Sequence, residues 1–252
     1  MQSIQLEELT WPKVKAALDS GFDTVVFGVG STEQHGPHLP LASDTLMGVW
    51  LAEATAHRLG KALVAPALRI GCSQHHLAFP GTISIEPSTL RELIVSYTRT
   101  LLSHGFRRAI IIPSHGGNFQ VVTEAVAELN KQLPDKQTVT FADLKQLIDA
   151  SHKLSSEFDI TPGASGAHAG EFETSILLFL RPDLVEMDHA EEGFTQDIGP
   201  LIPDLLKYGL AKVTANGILG DGRQGDASRG KKYLLAWLDL IVSEVERASV
   251  AA

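Results

Sequence analysis

Cysteine is almost missing: the 252 residues include one, Cys72. A single thiol forms no intrachain disulfide and builds no cysteine-rich zinc site, so any metal must be held by histidine and carboxylate. So little cysteine suits a reducing cytoplasm, the expected location. Long apolar runs are missing as well. None approaches the ~20 residues of a spanning helix, and the richest segment, 175–180, reads as core. The N-terminal MQSIQLEELTWPKV lacks the basic stretch and apolar run of a signal peptide. Positive charge is in short supply, with 21 Lys and Arg against 30 Asp and Glu and a net charge of -9. Such a surface repels phosphate backbones and anionic lipid, so neither a nucleic-acid nor a membrane partner is expected. Nucleotide-binding signatures are missing too. Gly28-Val-Gly30 runs on into Ser-Thr-Glu without a third glycine, and no P-loop lysine motif occurs.

What is present is an ordinary globular mix, 44% hydrophobic and 20% charged. Short apolar runs alternate with longer amphipathic ones. Strands are expected at 24–29, 62–66, 108–113 and 138–141. Helices are expected at 44–59, 88–104, 120–132, 170–180 and 228–247, with Ser43 or Asp44 capping the first. Alternation of this kind predicts an α/β fold, a mostly parallel sheet with helices on both faces, in one domain over 1–252. Ligands of such sheets gather at the carboxyl ends of the strands, and three polar clusters bear on that rule.

The first cluster follows the first strand: Gly30-Ser-Thr-Glu-Gln-His-Gly-Pro-His-Leu-Pro-Leu-Ala-Ser-Asp44. Residues two apart in an extended segment share a face, so Glu33 and His35 can point to one spot. Gly36, Pro37 and Pro40 turn the chain so that Asp44 can return as a third ligand; helix capping is the alternative for Asp44. The second cluster, His115-Gly-Gly-Asn118, follows the Ile-rich strand, and its glycines let backbone approach a ligand. The third is His168-Ala-Gly-Glu-Phe-Glu-Thr-Ser175. If helical from about His168, it places His168 and Glu171 on one face. Glu173 then lies about 200° round from Glu171. Glu171 is therefore the expected ligand, with Glu173 behind a ligand or in a structural role. Solvated loops and caps explain any one cluster alone. Carboxylate with imidazole suits zinc, manganese or iron(II).

Together these residues resemble the creatininase (creatinine amidohydrolase) family, through 30–44, Phe79-Pro-Gly-Thr-Ile-Ser84, the His-Gly-Gly-Asn of 115–118, His168 to Ser175, and Gly220-Asp221. The resemblance spans nearly the whole chain. It implies a three-layer α/β/α fold, a two-metal hydrolase and a homo-oligomer, often a hexamer. It matches Glu33, His35, Asp44 and His115 to metal ligands, Asp44 to the carboxylate bridging two metals, and His168 to the catalytic histidine. Creatinine-cleaving members carry a glutamate ligand where this chain has Gly117, and Glu171 is inferred to replace it. They also use tryptophans near the substrate, whereas this chain has tryptophan only at 11, 50 and 237. Creatinine is therefore not the expected substrate. The family also holds deformylases, a peptide-maturing peptidase and a hydrolase of cyclic polyol ketones.

The expected chemistry is hydrolysis of a C–N bond in a small cyclic amide, formamide or related small molecule by a metal-activated water. One or two divalent transition-metal ions are expected, zinc first, then manganese or iron. His168 would move protons or steady the oxyanion. His75, His76, Phe79, Gly116 and Gly117 are the expected substrate contacts, with a loop packed on the core as the alternative for 75–79. Two rivals stand beside this: a C–C bond hydrolase or isomerase of a cyclic keto-polyol at the same metals, and a non-catalytic small-molecule binding protein.

Overall fold

In the computed structural model, which describes residues 3–250, four short strands form one parallel sheet: β1 (Thr24–Val29), β2 (Ala62–Val64), β3 (Arg108–Pro113) and β4 (Gln137–Val139). Their order is β2-β1-β3-β4, with Val25 opposite Leu63 on one side and Ala109 on the other. The helices are α1 (Trp11–Asp19), α2 (Ser43–Leu59), α3 (Pro87–Ser103), α4 (Phe119–Gln132), α5 (Leu144–Ser156), α6 (Pro162–Ser165), α7 (Glu171–Leu180), α8 (Ile202–Tyr208) and α9 (Ala227–Val250).

Alternation along the buried strands sorts the side chains into two cores. Val26, Ile110 and Ile112 face one core, shared with Met47 and Leu51 of α2, Ile176 of α7 and Trp237 and Ile241 of α9. Val25, Phe27, Val29 and Ile111 face the other, with Leu90 and Ile94 of α3 and Val122 and Leu129 of α4. The result is the expected three-layer α/β/α architecture. In α9, Tyr233, Leu234, Trp237, Leu238, Ile241, Val242 and Val245 are all buried, the three- and four-residue spacing of one helical face.

Two consequences place the site. Chain order reverses between β1 and β3, so their carboxyl ends open a crevice of the kind that binds ligands in parallel sheets. Helix α2 also presses hard on β1: a Cβ on Gly28 would lie 2.8 Å from the backbone of Gly48. A Cβ on Gly30 would likewise lie 2.7 Å from the backbone of Thr45, so glycine at 28 and 30 lets the first turns of α2 sit beside the end of β1. No helix among the described residues is long and apolar enough to cross a membrane. The helices α1, α5, α6 and α8 lie outside the sequence expectations. Strand β2 ends at Val64, short of the expected 66, although Ala65 N–H still donates to Val26 O at 2.9 Å.

Candidate metal centre

After β1 the chain folds back on itself. Ile83 N–H donates to Thr32 O and Glu33 N–H to Leu41 O, both at 2.9 Å. This turn buries Glu33 and His35 completely and brings them together with Asp44. Asp44 stands in the first turn of α2 but does not cap it: the N-cap is Ala42, with no side-chain cap bond. Its carboxylate points into the crevice, as does His115 from the end of β3. Asp44 Oδ1 is 3.3 Å from His35 Nε2, and its Oδ2 is 3.4 Å from His115 Nδ1. One carboxylate thus spans two imidazoles. Glu33 Oε1 lies 3.2 Å from His115 Nδ1 and 3.3 Å from His76 Nε2.

Backbone carbonyls orient three of the histidines. A carbonyl only accepts, so each nitrogen bonded to one carries the proton. His35 donates from Nδ1 to Glu33 O (3.1 Å), His115 from Nε2 to Cys72 O (3.1 Å) and His168 from Nε2 to Gln34 O (2.8 Å). The other nitrogen of each ring is left facing the carboxylates, the arrangement that fixes tautomer and direction in metal-ligating histidines. His168 Nδ1 lies 3.9 Å from both Glu33 and Glu173.

The expectation that Glu171 joins this set is corrected by the structure. Helix α7 begins at Glu171, so His168 is not on it and shares no helical phase with either glutamate. His168 instead pairs with Leu219 in an isolated antiparallel bridge. Glu171 is buried but fully engaged: Oε1 accepts from Ser175 Oγ (2.7 Å) and Arg229 Nε (2.7 Å), and Oε2 accepts from Tyr233 OH (2.8 Å). It fastens α7 to α9. Glu173 is the carboxylate grouped with His35 and His168, 3.7 Å from His35 Nε2, and it accepts a 2.6 Å bond from Ala169 N–H. Gly117 cannot easily carry a ligand of its own, since a Cβ there would meet Cys72 O and the His115 ring.

Both oxygens of Glu33, His35 Nε2 and Asp44 Oδ2 are buried with no hydrogen-bond partner among the described residues. The ion pairs are close, but not in hydrogen-bond geometry. Unpartnered buried charges cost several kcal/mol each, and divalent cations answer that cost directly. Carboxylate oxygens and oriented imidazole nitrogens are the donors such ions take, so the residues present fit the group.

The protonation pattern follows. Burial opposes charge on His35, but Asp44, Glu173 and Glu33 outweigh it and lift its pKa to about 10. Burial likewise opposes charge on His115, which its two carboxylates overcome, holding its pKa well above the usual value. Burial works against an ionised Asp44, yet His35 and His115 keep it below the ordinary carboxylate range. Burial pushes Glu173 up to about 7, against the pull of His35. Burial, then repulsion from His35, brings His168 down to about 3. His168 is therefore neutral near pH 7, with a free lone pair on Nδ1.

Over these groups lies a cavity of about 110 Å³, walled by Glu33, Asp44, His75, His76, His115 and Gly116 below and Leu205, Leu210 and Leu219 above. Of the expected substrate contacts, His75, His76 and Gly116 line it. His76 goes further, grouping with Glu33 and His168 as a possible ligand set. Phe79 packs behind the wall with Leu205, Leu210 and Leu219, and Gly117 is wedged against Cys72 O, so neither reaches the cavity. Sequence reasoning missed Gln34, although it lies between two flagged residues. Its amide nitrogen donates to His76 Nδ1 (2.8 Å) and Gly217 O (3.1 Å), and its Oε1 accepts from Gly36 N–H (2.9 Å). It gave no separate role to Asn118 of the second cluster, which ties Cys72 N–H to the carbonyls of Val29 and Gly30. It also missed Leu205 and Leu210, for which no sequence signal existed.

Comparison with known proteins agrees with this geometry. A sequence profile described as creatininase, creatinine amidohydrolase, matches residues 7–245. The mycofactocin precursor peptide peptidase of Mycolicibacterium smegmatis is 34% identical over 91% of this chain and 87% of its own. A crystal structure of creatinine amidohydrolase superposes with a TM-score of 0.80 at 26% identity, covering 98% of each chain. A manganese form of creatininase gives 0.79 at 27% identity, again over 98% of each. The chain belongs to the creatininase family of hydrolases.

Proposed function

We propose that this chain is a divalent-metal-dependent hydrolase of a C–N amide bond. The observation that carries this reading is the set of three histidines, each tied to a carbonyl by one nitrogen and presenting the other to buried, unpartnered carboxylates. His35, Asp44 and Glu173 would hold one ion and Glu33, Asp44 and His115 a second, with Asp44 common to both. Zinc, manganese and iron(II) all suit these donors. Ions bound there lower the pKa of a water and polarise a carbonyl.

The chain's own residues supply the rest. His168 holds its proton on Nε2 against Gln34 O, which leaves Nδ1 to take a proton from the attacking water and pass it to the leaving nitrogen. Gln34 fixes His76 by donating to its Nδ1, so His76 presents Nε2–H toward Glu33. The leucine roof keeps bulk water from the reacting carbonyl. The peptidase relative supports an amide as substrate. A homo-oligomer is part of the same proposal, to be read by sedimentation.

The reading is tested by turnover of metal-loaded protein on cyclic amides, formamides, short peptides and cyclic keto-polyols. Release of amine from one of the first three groups is the expected result. Ring opening of a keto-polyol with no amine released would replace this reading with the C–C hydrolase.

A further inference from the structure

The cavity over the ligand set, about 110 Å³, is smaller than the ~300–1,000 Å³ that encloses a whole small ligand. A substrate larger than a small ring therefore extends beyond it. A second cavity of about 410 Å³ adjoins it, and Ala167 and Leu219 belong to the walls of both. Its lining is mainly apolar, with Ile148 of α5, Phe194, Ile198 and Leu219 beside the half-buried His152 and Thr195, while Pro162 of α6, Gln196 and Asp197 are exposed. The dividing wall is pinned, because Ala167 N–H donates to Leu219 O at 2.8 Å and Phe194 N–H to Ile218 O at 3.0 Å. Leu219, Phe194 and Ile198 form a small hydrophobic cluster with Leu205 and Leu210, apart from the two main cores. One cluster therefore closes both cavities, and its wall residue Ala167 immediately precedes His168.

We infer that the second cavity is a specificity subsite for an uncharged, apolar side chain of the substrate, next to the bond being cleaved. The substrate class is then a peptide or an N-acylated amino-acid amide, not a free-standing small ring. This rests on the amide-hydrolase reading above. A charged side chain there would lose its water against a lining that offers no lysine or arginine and only His152 and Asp197 as titratable groups. Asp197, the acid at the mouth, already accepts from Gly199 N–H at 2.9 Å. In the reaction, water adds across the C–N bond, giving a carboxylate and an amine, with the proton passing to the leaving nitrogen.

The test uses metal-loaded, full-length protein and pentapeptides Gly-Gly-X-Gly-Gly with X as Gly, Leu, Phe, Asp or Lys. The expected result is kcat/KM at least ~10-fold higher for Leu or Phe than for Gly, Asp or Lys. Ile148→Trp, which fills the cavity from α5 away from the ligand set, should erase that preference, read as a fall of the Leu-to-Gly ratio of kcat/KM towards one. Ile198→Trp serves the same purpose if the first variant does not fold. Equal rates for every X, or a preference that survives a folded filling variant, would overturn the subsite. If no peptide is cleaved, turnover of cyclic amides and formamides decides the hydrolase reading, and binding decides the subsite separately. Saturation-transfer NMR with N-acetyl-leucinamide and N-acetyl-glycinamide should then show the leucine compound alone, lost in Ile148→Trp. No binding, or binding indifferent to the variant, would overturn it.

Discussion

Two glutamates of helix α7, Glu171 and Glu173, sit in contrasting company. Glu171 accepts from a serine, an arginine and a tyrosine, its charge matched by Arg229. Glu173 has one backbone donor and otherwise faces His35, His168 and the unpartnered carboxylates of Glu33 and Asp44. Burial alone does not distinguish a structural acid from a functional one; satisfaction does. The first has a closed set of partners and serves as a rivet. The second stands in a set that, on the proposed reading, a cation completes.

That contrast can be broken by substitution. The largest effect is expected from Asp44→Ala, which removes the carboxylate shared by His35 and His115 and should abolish turnover; substantial activity would remove Asp44 from the ligand set. Next comes Glu173→Gln, with a fall in kcat of ~100-fold or more, since even groups behind a ligand are worth ~10–100-fold. Its melting temperature in the metal-free form should stay near that of the parent. Glu171→Gln should do the reverse. It leaves Arg229 with a weakened partner at a cost of about 1–3 kcal/mol in denaturant unfolding, and keeps kcat within a few-fold. An exchange of these two phenotypes would invert the comparison.

A smaller effect concerns protons. In the metal-free protein His35, lifted to about 10, and His115, lifted well above 6.5, are both protonated at pH 7. Metal uptake should therefore release a proton from each, read by calorimetry in buffers of different ionisation enthalpy. The stability contributed by the raised His35 is fully present below about 6.5 and is lost as pH rises through about 10. Metal uptake with no proton release would contradict the assigned charges.

Much of this was legible in the sequence. The strand 108–113 and the helix expected over 44–59 and found at Ser43–Leu59 announce themselves by β-branched residues and by periodicity. Glu33 and His35 converge because a two-residue spacing in extended chain leaves little choice. The third cluster misled because an angular argument needs a common helix axis. Ala169, with φ of 52°, and Gly170, the extended N-cap of α7, separate His168 from that axis. Two of the three partners of Glu171, Arg229 and Tyr233, lie 58 and 62 residues away, a distance over which no local pattern operates. The α8 segment gave no signal because its role is to roof a cavity that the rest of the fold creates.

Metal content per chain tests the central claim most directly. Elemental analysis would compare the parent protein, Glu171→Gln and Glu173→Gln, each purified without chelator or nickel and incubated with zinc, manganese or iron(II). The expected result is one to two equivalents in the parent and in Glu171→Gln, with a clear loss in Glu173→Gln. No metal in the parent, or a loss confined to Glu171→Gln, would contradict the account.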